Sequence, residues 1–477
     1  MTPRKTLVLA GLGPHARRIY YPLLEKYREQ YNIRLALLID RHEQAEAVNT
    51  YLEGRSLQPE QILFIDDHPN GDDPPGNELL GALRQLTNQQ HIDGIIIATE
   101  PRAHKVYALW AILNHVDVLV DKPITAPPGA SVDIHAARQV YADYGDLERC
   151  LRFSTANVIV QAQRRSHAGY ALIKQYLDEF ARQYPIPVSY MDIYHGDGMW
   201  AMPDELFRRE NHPYKYGYGK LMHSGYHFVD LFAWLAQVNM LIEQKKPDRA
   251  EIVARRFGPY DFLHQVSHED YRTLFGVDVS DVAFSENRLK AARTYGEQDV
   301  FVLCQLKRGD AVVTTASINL QQNSFSRRAW LTPAADVYKG NGRVRHERLN
   351  LQVGNLLNIQ AHSYQAYEVG KQDVETSGAG HEDHFEVSIY RNSGVVGGQP
   401  LEKFDIGAQA RQAHAHDETF LGHNERAREQ HFLDFLERRA GPSHFQSHRL
   451  TVQILSGICE TLARGQLGDP SQVVVTL

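Results

Sequence analysis

The stretch Thr6-Leu7-Val8-Leu9-Ala10-Gly11-Leu12-Gly13-Pro14-His15-Ala16 decides the fold. A short apolar run ends in a glycine turn, and beyond it Ile19, Leu23, Leu24 and Tyr27 recur at helical spacing. A second apolar run, Ile33 to Ile39, ends at Asp40. Strand, turn, helix and strand make a βαβ unit, the context in which a Gly-x-Gly-x-x-Ala fingerprint means more than a plain tight turn. Gly11 permits the turn, Gly13 lets the backbone approach a pyrophosphate, and Ala16 lets helix and strand close up. Pro14 and His15 open the helix whose N-terminus faces the phosphates. Asp40 stands where a carboxylate accepts hydrogen bonds from the adenosine ribose and repels a 2′-phosphate, which favours NAD. Arg41 follows it and is able to pair with that phosphate, so NADP stays open.

Outward from this unit the alternation continues through Ile62 to Ile65, a helix carrying Leu79, Leu80, Leu83 and Leu86, then Gly94 to Ala98, a helix from His104 to Asn114, and Val116 to Val120. Alternating strands and helices predict a Rossmann-type, doubly wound parallel sheet in an α/β fold. The segments 68–76 and Pro127-Pro128-Gly129 are turn-rich breaks, and the domain boundary is placed near residue 150, giving a dinucleotide domain over 1–150. Residues 151–477 read as an α+β domain with a large, mainly antiparallel open sheet. A helix is expected around Ala168 to Ala181, with strands over Val188 to Tyr194, Val300 to Leu306, Ala311 to Asn319, Leu349 to Ile359 and His384 to Tyr390. The charged stretch from about 240 to 300 reads as an insertion with short helices, and helical spacing returns over His423 to Glu437 and Arg449 to Arg464.

The bulk composition agrees. A chain of 477 residues, 43% hydrophobic and 23% charged, is globular and long enough for two or three cores. A net charge of -7 offers no basic footprint for nucleic acid. The absence of a leader or a long apolar run predicts no membrane partner, and three scattered cysteines, Cys150, Cys304 and Cys459, suit a reducing cytoplasm.

Three segments carry chemistry. Thr99-Glu100-Pro101-Arg102-Ala103-His104 and Asp121-Lys122-Pro123 follow the fourth and fifth strands, on the ligand-binding edge of such a sheet. Lys122 in that place can hydrogen-bond a substrate oxygen and stabilise developing negative charge, or it is a surface lysine before a turn. In Gly217-Tyr218-Gly219-Lys220-Leu221-Met222-His223-Ser224-Gly225-Tyr226-His227-Phe228-Val229-Asp230, His223, His227 and Asp230 share one face if the stretch is helical. Histidine carries protons near neutral pH and a carboxylate one turn away orients it; a metal site or a buried packing histidine fits the same spacing.

In this order the three segments resemble the Gfo/Idh/MocA family, named for glucose-fructose oxidoreductase and inositol dehydrogenase, over Leu7–Ile124 and Phe153–Leu235. The resemblance implies hydride transfer between NAD or NADP and a hydroxyl or carbonyl carbon of a sugar, cyclitol or sugar nucleotide. It makes His227 the acid/base, with His223 beside it, and Lys122 the lysine that contacts substrate and nicotinamide. Thr99, Pro101 and His104 join Gly11, Gly13, Pro14, His15, Asp40, Arg41 and Lys122 on the cofactor side. Arg164 or Arg165, Tyr194, Trp200, Tyr216 and Asp230 become substrate-lining candidates. Glu100 replaces the family's first proline, Tyr218 its middle glycine, and His223 the aspartate that accompanies the histidine. The family's habit of pairing through the C-terminal sheet implies a homodimer or homotetramer. An NAD-dependent, redox-neutral glycoside hydrolase and a non-catalytic ligand sensor are the alternative readings. The set His381, His384, His414, His416 and His423 has no cysteine beside it and is read as solvated loop histidines, with no metal expected.

Overall fold

The computed structural model describes residues 4–68, 77–198, 200–209, 212–326, 344–366, 383–408, 423–469 and 472–477. They form two compact units, and neither is a contiguous stretch of chain: the first comprises 1–127, 140–167 and 424–449, the second 128–139, 168–423 and 450–477. This differs from the single boundary near residue 150. The first break falls at the Pro127-Pro128-Gly129 turn, where Gly129 has a φ of 86°.

The first unit holds a six-stranded parallel sheet of β1 (Lys5–Ala10), β2 (Ile33–Arg41), β3 (Gln61–Ile65), β4 (Gly94–Ile97), β5 (Asp117–Val120) and β6 (Val158–Val160), in the order β3-β2-β1-β4-β5-β6. The reversal of winding beside β1 creates the crevice at the carboxyl ends of the strands that such folds use for ligands. β1, β4 and β5 are almost fully buried, as two-sided packing requires of a parallel sheet. β6 is only three residues long, and no periodicity announces it. Its core is completed from far along the chain: Phe432, Phe435 and Leu436, on helix His423–Leu436, pack with Leu7, Leu9, Tyr20 and Ile159.

The second unit is built on a nine-stranded sheet whose order is β14-β13-β12-β11-β7-β10-β9-β8-β15. These are β7 (Val188–Gly198), β8 (Arg249–Phe257), β9 (Asp299–Arg308), β10 (Ala311–Gln321), β11 (Val344–Val353), β12 (Leu357–Ala366), β13 (Asp383–Arg391), β14 (Leu401–Asp405) and β15 (Val473–Thr476). All pairings are antiparallel except β7 with β10. The run Leu349 to Ile359 is not one strand; it straddles the β11–β12 hairpin, turning at Gly354 with a φ of 48°. The expected insertion is narrower too, because Arg249–Phe257 is a sheet strand, β8, leaving residues 258–298 as the excursion of short helices. On one sheet face helix Tyr226–Ala236 meets β7 and β10, and helix Arg449–Gln466 meets β8 and β15, where a Cβ on Gly457 would lie 2.7 Å from Val475 and 2.8 Å from Ile252.

Candidate active site

In the first unit the glycine turn is built as its fingerprint requires. Gly11 has a φ of 93°, and a Cβ there would lie 2.7 Å from the Ala98 carbonyl oxygen, so no other residue fits without displacing β4's end. A Cβ on Gly13 would meet no protein atom within 4 Å: the backbone there is bare toward open space, as close approach of a pyrophosphate demands. Pro14 opens helix Pro14–Arg18, and Ala16 is buried beneath it. Leu12 N–H donates to Asp40 Oδ2 at 2.8 Å and Arg41 N–H to Asp40 Oδ1 at 2.8 Å, so the turn is closed by the same carboxylate that the sequence assigns to the ribose. The residues fit a dinucleotide.

The lysine segment lies on the same edge, after β5. The Lys122–Pro123 peptide is cis, and Lys122 N–H donates to Asp121 Oδ1 at 2.8 Å. His15 Nε2 stands 3.4 Å from Asp121 Oδ2. Burial, then the Arg428, Arg18 and Lys122 charges, push His15 well below the ordinary histidine range. His104 is fully buried with Nδ1 2.9 Å from the Pro123 carbonyl oxygen and Nε2 3.1 Å from that of Thr99. Burial lowers its pKa while Asp121 and the two carbonyls oppose the shift. His104 thus ties the two motif loops together from below rather than facing open space. Thr99 Oγ1 donates to the Glu100 carbonyl at 3.3 Å, and Pro101 starts the short turn Pro101–Ala103. Arg164 and Arg165 are both buried: Arg164 donates to Asn424 Oδ1 at 2.7 Å, and Arg165 to Ser447 Oγ at 2.7 Å and the Pro442 carbonyl at 3.0 Å. These bonds anchor the returning segment 424–449, which accounts for both guanidiniums by packing.

In the second unit the histidine segment is not one regular helix. His223 has φ -85° and ψ -115°, and Gly225 N–H donates to the Lys220 carbonyl, five residues back, at 2.8 Å. Helix Tyr226–Ala236 starts only after this widened turn, so His227 and Asp230 share a helix and His223 precedes it. The one-face expectation is corrected accordingly: Gly225 has no Cβ, which would lie 2.5 Å from the Lys220 oxygen, and so permits the close approach by which the backbone leaves helical register. His223 is ringed by aromatics, with His212 stacked at 4.6 Å, Tyr218 edge-on at 6.0 Å and Tyr214 at 6.1 Å. Tyr218 therefore fills, with a fully buried ring, the place of the family's glycine. His227 is buried on the first turn of its helix, and Asp230 is fully buried with Oδ1 accepting from Thr451 Oγ1 at 2.8 Å, a bond between two helices.

Glu297, which the sequence reading passed over, holds this segment. Fully buried at the end of the excursion, its Oε1 accepts Leu221 N–H at 2.8 Å and Gly219 N–H at 3.2 Å, and its carbonyl accepts Lys220 N–H at 2.8 Å. Backbones are in contact here, since a Cβ on Gly219 would sit 2.0 Å from the Glu297 oxygen. Buried Lys220 also draws on Asp299, whose carboxyl burial raises and the Asn323 and Gln322 N–H groups and Lys220 partly restrain. Trp200 belongs to the excursion's own small core, donating to Tyr271 Oη at 3.2 Å beside Phe275. Tyr194 lies on the sheet face opposite the helices, donating to Gln321 Oε1 at 3.0 Å under Arg348; Tyr216 packs at 6.0 Å from Tyr218. His381, His414 and His416, like the loop 69–76, lie outside the described residues; among the described residues no group of three His, Cys, Asp or Glu is placed to hold a metal.

The comparisons agree with this geometry. Residues 5–142 match the family model described as "Oxidoreductase family, NAD-binding Rossmann fold", GFO_IDH_MocA. No curated protein sequence matches the chain significantly. Among solved structures the chain is similar to the WlbA dehydrogenase from Bordetella pertussis in complex with NADH and UDP-GlcNAcA, at 12% identity and TM-score 0.54, over 100% of this chain and 99% of that one. It is similar to aldose-aldose oxidoreductase from Caulobacter crescentus complexed with glycerol, at 12% and 0.53, over 100% of both chains. It is also similar to levoglucosan dehydrogenase in complex with NADH and L-sorbose, at 12% and 0.56, over 100% and 99%. Such identities speak for a shared fold. With the glycine turn, Asp40 and Asp121-Lys122-Pro123 in place, residues 5–142 match the NAD-binding Rossmann fold that the Gfo/Idh/MocA oxidoreductase model describes.

Proposed function

We propose that this oxidoreductase moves hydride between NAD and a CH–OH or C=O carbon of a sugar, cyclitol or sugar nucleotide. The glycine turn closed on Asp40 carries the cofactor half of that reading. NAD supplies the hydride-accepting carbon when bound. In the oxidation direction the proton-accepting role falls to His227 in the second unit, and in the first unit Lys122 is the cation that stabilises developing negative charge on a substrate oxygen. His15, Asp121 and His104 position Lys122: Asp121 fixes its N–H, and His104 fixes the carbonyl of Pro123. Glu297 and the aromatic ring around His223 do the same for the turn leading into His227. The substrate class is favoured by the WlbA and levoglucosan dehydrogenase structures, which hold, beside NADH, a sugar nucleotide and a sugar respectively. Formation of NADH from NAD with a panel of aldoses, cyclitols and sugar nucleotides tests it; a chain that binds no NADH, or that turns over none of these while NADH binds, overturns the cofactor half or the substrate half respectively. We further propose a homo-oligomer through the sheet face that carries Tyr194, where Phe301 and Leu303 are 49% and 64% exposed. A monomeric mass by light scattering at micromolar concentration refutes that.

A further inference from the structure

The carboxyl ends of β2 and β3 hold charged side chains that bear on which dinucleotide the first unit accepts. Asp40 is the obvious selector, yet it is buried, and one of its oxygens already accepts the Leu12 N–H of the turn while the other accepts the N–H of Arg41 beside it. Its carboxylate shapes the loop as well as facing a ribose, so the side chains around it set what a 2′ substituent meets. The Arg41 guanidinium, the first cation after Asp40, is paired with Glu43 at 2.6 Å; Glu43 is 60% exposed and Arg41 22%. Arg102, the next cation at this corner, is buried and gives Nη2 to both oxygens of Asp67 at 2.7 Å. Burial raises the Asp67 carboxyl, but the hydrogen bond and charge of Arg102, with Arg41 behind them, hold it below the usual carboxylate range. Both cations are thus engaged by carboxylates.

We propose that Glu43 is a specificity-determining residue for the dinucleotide: it holds the Arg41 guanidinium and adds negative charge, so the site takes a 2′-hydroxyl and turns away a 2′-phosphate. The proposal rests on the glycine turn being the NAD site. A 2′-phosphate brings nearly two negative charges, and a freed guanidinium answers it with a bidentate pair. The Arg41–Glu43 pair is partly exposed and therefore weak, so neutralising Glu43 is enough to release Arg41.

Affinities of the intact protein for NADH and NADPH, read from nucleotide fluorescence, test this. In the unmutated protein NADH binds more tightly. Glu43→Gln raises the NADPH-to-NADH affinity ratio about 3- to 10-fold, more at low salt than at high, as removal of one charge near a partly screened dianion implies. Arg41→Ala added to Glu43→Gln abolishes the gain. Equal affinities in the unmutated protein, an unchanged ratio in Glu43→Gln, or a gain that survives loss of Arg41 each overturns the proposal. Failure of the unmutated protein to bind NADH overturns the reading beneath it instead.

Discussion

The two glycine-rich turns of this chain, Gly11 to Gly13 in the first unit and Gly217 to Gly225 in the second, solve the same problem by different means. Each bends the backbone sharply before a helix. The first is closed by Asp40, at the end of the next strand, and by the neighbouring strand end at Ala98. The second is held by Glu297, whose side chain reaches Gly219 and Leu221 across 78 and 76 residues. The first turn therefore belongs to a compact βαβ unit and carries its own instructions. The second takes its shape from a remote excursion, which leaves its histidines free to be placed irregularly.

The largest effect that would sharpen this comparison is on chemistry. His227→Ala should lower turnover about 10²- to 10⁴-fold, the range for losing a positioned proton carrier, while NADH affinity, a property of the first unit, stays within twofold. Full turnover would move the proton carrier elsewhere. Next come the glycines. Gly11→Ala places a Cβ 2.7 Å from a carbonyl oxygen at a φ of 93°, and should cost about 2–4 kcal/mol of stability in urea unfolding. Gly13→Ala meets no protein atom, so it should leave unfolding unchanged and weaken NADH binding about tenfold. If both behave alike, the bare backbone at Gly13 is not a phosphate site.

A smaller effect separates the units by pH. His68 is buried against Tyr107 Oη at 2.8 Å, and burial followed by the Arg41 charge lowers its pKa to about 4. The folded form resists a proton that the unfolded form binds near pH 6.5, so the associated stability is present above that pH and lost as pH falls toward 4. The loss approaches about 3 kcal/mol. His68→Gln should flatten this part of the urea-midpoint profile between pH 7 and 5; an equally steep profile would assign it to other histidines. The smallest effect concerns His223. His223→Asp restores the family's carboxylate, and a negative charge near His227 should move the acidic limb of the oxidation pH–rate profile, which reports the base, up by about half a unit to one unit. No shift would make His223 a packing residue of its aromatic ring.

How much the sequence disclosed follows from the same contrast. The parallel sheet, its ligand edge and the placing of Asp40 and Lys122 were legible because hydrophobic period, glycine and a strand-end acid all fall within 35 residues of one another or repeat the pattern. Strand β6 and the hairpin at Gly354 were not, being too short or too polar for periodicity to resolve. Glu297 left no local signal, because a carboxylate that accepts backbone N–H groups across such a separation imposes no spacing on its neighbours. The bonds of Arg164 and Arg165 were illegible for a related reason: their partners, Asn424, Pro442 and Ser447, lie more than 250 residues on.

That return of the chain bears on how the protein is made. Phe432, Phe435 and Leu436 belong to the same core as Leu7 and Leu9, and the phenyl ring of Phe435 occupies the space where a Cβ on Gly94 would be. A nascent chain released after residue 150 would carry a parallel sheet with one wall missing, its apolar strands open to water and to one another. The first domain to be translated is thus among the last to be finished. A fragment meant to bind dinucleotide on its own would need residues 424–449 supplied by a new linker or as a second piece.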